Sequence, residues 1–100
     1  MEGEDGEVRA GLSASGEGGA LSLHDQNGRE RAGLHVSKDG SFLSLEDGNG
    51  KRRAWLVLYK DEPMLALVDK KGEVRAWLVL HEKGPELLFF GEDGNPIPAR

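Results

Sequence analysis

Asp47-Gly48-Asn49-Gly50-Lys51-Arg52-Arg53-Ala54-Trp55-Leu56-Val57-Leu58-Tyr59-Lys60-Asp61-Glu62-Pro63-Met64-Leu65-Ala66-Leu67-Val68 is the stretch that decides the fold. Ala54, Leu56 and Leu58 alternate with Arg53, Trp55 and Val57, and Leu65 and Leu67 alternate with Met64, Ala66 and Val68. Strict alternation over short runs is the signature of strands, whose side chains point to opposite faces at every step. The opening Asp-x-Asn-Gly is turn chemistry: the Asp side chain bonds the turn's own backbone, and Asn and Gly accept positive φ. The stretch therefore reads as one hairpin with a turn leading into it.

The same unit recurs. Gly6, Gly28, Gly50 and Gly72 stand 22 residues apart, and Gly94 continues the count. Arg9, Arg31, Arg53 and Arg75 keep the same interval three residues further on, each followed by Ala. Periodicity of this kind outranks every other signal in a chain. It divides the single 1–100 domain into repeats of about 5–24, 25–46, 47–68 and 69–90, with 91–100 a truncated fifth repeat and tail. The expected fold is all-β: an antiparallel meander of eight or nine short strands from four hairpin repeats, either a rolled sheet or a small closed barrel. A parallel β-solenoid with one coil per repeat is the alternative. Residues 1–6 and 95–100 are expected to fray.

Two turn families alternate. Those at Asp25–Gly28 and Asp47–Gly50 suit a glycine with positive φ, and Asp39-Gly40 suits a two-residue hairpin loop, with Glu17-Gly18, Asp61-Glu62 and Lys83-Gly84 as its counterparts. Hairpins closed at these points pair Val36 with Leu43, Leu34 with Leu45, Leu21 with Ala32 and Leu23 with Glu30. One face is then Leu, Ala and Val throughout and is read as the core. A one-residue slip would turn that face to water.

The second face changes character halfway. In the first two repeats it carries Arg9, Gly11, Ser13, Ser22, His24, Arg31, Gly33, His35 and Ser44. Further on it gathers Phe42, Trp55, Val57, Tyr59, Met64, Val68, Trp77, Val79, Leu88 and Phe90. The register expected from the turns sets Trp55 against Phe42 and Val68, Trp77 against Met64 and Phe90, and Tyr59 against Met64. Soluble monomers seldom expose contiguous apolar patches beyond a few hundred Å². These ten residues are therefore read as an interface, toward a second copy of the chain or another protein. Paired tryptophans on a sheet also suggest a carbohydrate or ligand platform on Trp55 and Trp77.

The unit Asp-x-Asn-Gly-x-x-Arg-Ala-x-Leu, followed by Asp-Gly and Leu-x-Leu, resembles the short β-hairpin repeats of bacterial proteins of unknown function. In length, though not in consensus, it resembles MORN-type repeats. The resemblance covers Asp5 to Gly94 and implies hairpins stacked into one continuous sheet. No functional residue carries over.

Composition narrows the function. The net charge of −5 disfavours a nucleic-acid partner, which needs a basic stripe. Cysteine is absent, so thiolate chemistry is excluded, and no run reaches membrane-spanning length. With an acidic start that lacks an apolar stretch, the chain is expected in the cytoplasm, away from membranes. The four arginines are read as structural ties from strand to turn. Asp25 with Asn27 and Asp47 with Asn49 offer too few oxygens for calcium, so no metal and no cofactor is expected. His35 is expected to face Ser44, but neither a carboxylate to orient it nor an oxyanion hole accompanies the pair. The expectation is a structural, self-associating or partner-binding module without catalytic residues.

Overall fold

The computed structural model describes residues 9–97, so Gly6 lies outside the described residues. Nine strands form one sheet in simple sequence order: β1 (Ala10–Ser15), β2 (Gly18–His24), β3 (Glu30–Val36), β4 (Gly40–Glu46), β5 (Arg52–Tyr59), β6 (Glu62–Val68), β7 (Val74–His81), β8 (Gly84–Phe90) and β9 (Pro96–Ile97). Every neighbouring pair is antiparallel, which disposes of the solenoid alternative. β1 and β9 are the two edges of this order, so the sheet does not close into a barrel. Part of the tail expected to fray is ordered: Ile97 pairs with Phe89 and Pro96 with Phe90.

The faces come out as expected, but the register does not. Leu34 pairs with Leu43 rather than Leu45, and Val36 with Ser41. Leu23, not Leu21, lies opposite Ala32. Each error is a shift of two residues, which preserves the face and misplaces the partner. The short loops turn one residue earlier than the sequence suggests. β5 and β6, for instance, join through Lys60 and Asp61, not Asp61 and Glu62. Lys60 and Asp61 have φ of 48° and 71°, left-handed at both central positions, as a type I′ loop requires.

The longer turns have a second cause. Asp47 N–H donates to Lys51 O at 2.8 Å and Gly50 N–H to Asp47 O at 3.0 Å, while Gly50 has φ of 82°. This is a three-residue loop closed by a left-handed glycine. Just beyond it Glu46 pairs with Arg52 but Leu45 with Ala54, so Arg53 is an extra residue on its strand. The same step leaves Arg31 and Arg75 as extra residues opposite β2 and β6. Arg31, Arg53 and Arg75 thus sit at β-bulges, each re-aiming one long side chain.

Neighbouring short loops abut closely. A Cβ at Gly40 would stand 2.0 Å from Leu58 O, and one at Gly18 would stand 2.0 Å from Val36 O. Asp39 O also accepts from Lys60 N–H at 3.0 Å. The sheet is a single layer, with extents of 49 × 31 × 17 Å and a radius of gyration of 16.1 Å. A compact chain of this length would have a radius of about 13 Å.

Candidate functional site

The arginines stitch strands to turns. Arg53 Nε donates to Val68 O at 2.7 Å, and its Nη1 lies 3.5 Å from Asp47 Oδ2. Arg31 repeats this on Glu46 O and Asp25, and Arg75 on Phe90 O and Asp69. Arg9 Nη1 donates to Asp25 O at 3.1 Å. Successive turns are bridged as well, by Arg29 Nη1 donating to Gly48 O and Lys51 Nζ to Lys70 O. Each arginine of the row thus reaches a backbone carbonyl of a neighbouring strand or turn.

The turn aspartates carry no free ligand shell. Asp47 Oδ1 accepts from the N–H groups of Asn49 and Lys51, and Oδ2 faces Arg53. The Lys51 N–H chiefly holds this carboxyl below its usual range, against partial desolvation and helped by Asn49 and Arg53. Asp25 and Asp69 are lowered in the same way, led by the N–H of Arg29 and of Glu73. A carboxylate with a depressed native pKa adds stability that is full above its unfolded value, about 3.9, and is lost as pH falls through the native value. Urea midpoints are therefore expected to fall as pH drops below about 4. Asp47→Asn should lower the midpoint at pH 7 and flatten part of that acid limb. An unchanged acid limb would show that the turn carboxylates contribute nothing.

The structure brings the tryptophan face together with different neighbours from those expected. Trp55 lies between Ser44 and Ala66, and Trp77 between Ala66 and Leu88. Tyr59 pairs with Glu62 and Met64 with Val57 and Val79. Large rings thus lie beside small residues, and Ser44 and Ala66 are 1% and 0% exposed. Val68 and Val79 are buried, Phe42, Trp55, Val57, Met64, Trp77, Leu88 and Phe90 are half-buried, and Tyr59 is exposed. The Arg52 guanidinium sits 5.5 Å from the Phe42 ring centre and 5.8 Å from that of Trp55. Much of this face is covered by its own side chains.

His35 does not meet Ser44. It pairs with Phe42, the rings stacked 4.6 Å apart, while Ser44 Oγ donates to Glu46 Oε1 at 3.1 Å. His81 stands between Glu62 and Glu86, at 4.0 and 3.5 Å. Among the described residues no three His, Cys, Asp or Glu side chains are grouped to hold a metal, and no helix is long and apolar enough to cross a membrane.

The face read as core is the exposed one. One leucine from each of eight successive strands falls in a single cross-strand row: Leu12, Leu21, Leu34, Leu43, Leu56, Leu65, Leu78 and Leu87. No second layer covers them, and Leu56 is 49% exposed. Sequence reasoning found these residues but assigned them to the interior, because alternation reports that two faces differ and not which face is covered. No protein-family model matches the chain, and no curated protein matches it at a significant level.

Proposed function

We propose that this protein is a structural β-repeat module that works by associating through a sheet face, with a second copy or another protein, and has no catalytic activity. The observation that carries this reading is its surface. The chain exposes 7479 Å², against about 5,600 Å² for a compact protein of its mass. The excess of roughly 1,900 Å² on one chain is larger than the share of about 800 Å² that each partner gives to a standard protein–protein interface. A one-layer sheet with two apolar faces leaves one of them bare, which contributes to this excess.

Sedimentation velocity at micromolar concentration tests the reading. The expected result is a mass above the 10.9 kDa of one chain. A folded species of one-chain mass that persists to high concentration would remove self-association.

A second reading, a carbohydrate- or ligand-binding module on Trp55 and Trp77, draws support at Trp55 alone, from a hollow of about 440 Å³ lined by Trp55, Arg52, Lys51, Lys71 and Glu46. It ranks second because both rings are half-buried among neighbouring side chains, whereas the leucine row is open along the sheet.

A further inference from the structure

The leucine face carries a relief that repeats with the sequence. Leu34, Leu43, Leu56, Leu58 and Pro63 line a hollow of about 300 Å³. Leu56, Leu65, Leu78, Leu80 and Pro85 line another of about 340 Å³. Each residue of the second set is the residue 22 positions on from its counterpart in the first. Two matching hollows therefore stand one repeat apart between β3 and β8, a two-strand interval close to 10 Å.

The face is also free of charge. The positions that share it, from Ala10, Leu12 and Ala14 on β1 to Pro85, Leu87 and Phe89 on β8, are Ala, Leu, Val, Phe, Pro, Gly and Ser. Every charged strand residue projects to the other face or sits at a strand end, although the chain carries 31 charged residues. Charge is depleted at the centres of interfaces, and a two-fold interface must be complementary to itself.

We infer that the leucine face is the contact surface for a second copy of this chain, the two sheets packing face to face as a symmetric sandwich with the leucine ridges of each in the hollows of the other. This rests on the associating role proposed above and names its partner. A second copy is favoured because it carries the same relief at the same interval and lacks charge over the same area. Sheets pack about 10 Å apart, the depth of two interdigitated leucine layers. Eight strands about 4.8 Å apart and three rows of side chains offer on the order of 650 Å² per copy, or about 1,300 Å² in all, which is within the range of stable interfaces. Full overlap fills the most hollows, so it is preferred over pairings displaced by one repeat.

The absence of native cysteine makes single thiols clean reporters. Ser41 shares the leucine face, in the row with Val36 and Leu58, while Ser13 lies on the opposite face, in the row with Ala20 and His35. Ser41→Cys and Ser13→Cys, each a small change, are labelled with a maleimide across a range of protein concentration, with the mass followed by sedimentation. The expected result is that Ser41→Cys labels about tenfold more slowly where the dimer dominates than where it is dilute, while Ser13→Cys does not change. A dimer that leaves Ser41→Cys fully reactive and protects Ser13→Cys would overturn the inference and keep the associating role, moved to the tryptophan face. A wild-type chain of one-chain mass throughout would overturn both. Protection of dilute Ser41→Cys by phosphatidylcholine vesicles, with none on concentrating the protein, would assign the face to lipid and overturn the second copy. A triple Leu43→Lys, Leu56→Lys, Leu65→Lys chain mixed with its Glu equivalent provides an independent check. Each alone should fail to associate, and the mixture should recover a folded heterodimer seen in mass and circular dichroism.

Discussion

Diluting the protein about a hundredfold is expected to lower its thermal midpoint by roughly 5–10 °C. A one-layer sheet of 100 residues has little interior: among the described residues only Ala66, Val68 and Val79 are buried hydrophobics. Ordering that much backbone costs on the order of 1–2 kcal/mol per residue, and in the proposed pairing part of the apolar burial that offsets it comes from the partner sheet. Mass action then removes about 2.7 kcal/mol per dimer for a hundredfold dilution. Because the unfolding entropy of two chains is shared in that transition, the loss appears as a shift of several degrees. Scanning calorimetry at several concentrations measures it, with sedimentation under the same conditions. A midpoint that does not move with concentration, in a species that sediments as a dimer, would show that the sheet is stable by itself and that association contributes nothing to folding.

How much of this was legible in the sequence depends on which force set each feature. The meander was legible because turn chemistry and alternation are local: Gly50 needs a left-handed φ whatever surrounds it, and Leu56 and Trp55 point opposite ways in any strand. The register was not, because it is counted from the loop outward. Two local choices, the left-handed pair at Lys60 and Asp61 and the bulge at Arg53, move it by two residues without changing any face. The arginine row signalled the bulge: a long polar side chain recurring beside a turn suits a position that aims it back along the sheet edge, where Arg53 meets Val68 O and Asp47. The covered face was the least legible part. Once the register is known, Trp55 and Trp77 flank Ala66 and Trp55 stands beside Ser44, and both small residues are buried. The leucines are equal in size and stand side by side, so they leave open hollows between them.

Trp55→Ala is expected to cost about 3 kcal/mol of stability and to leave the association intact. The ring lies between Ser44 and Ala66, 1% and 0% exposed, and its row adjoins the row of Phe42, Val57 and Met64. Removing it opens Ser44, whose hydroxyl bonds Glu46, and releases the Arg52 guanidinium that rests against both aromatic rings. The half-burial of the ring keeps the loss below that of a fully enclosed tryptophan. Trp55→Phe, which still covers Ala66, should recover most of it. Urea unfolding at a fixed concentration measures the change, and sedimentation reports the mass of each variant. The two faces make opposite demands on this experiment. If the tryptophans stabilise the sheet from within, Trp55→Ala lowers the midpoint and the mass per folded particle stays the same. If they are themselves the contact, the variant falls to one-chain mass while remaining folded, and the leucine face loses its claim. A loss under about 1 kcal/mol with unchanged mass would show that the ring is bystander surface on either account.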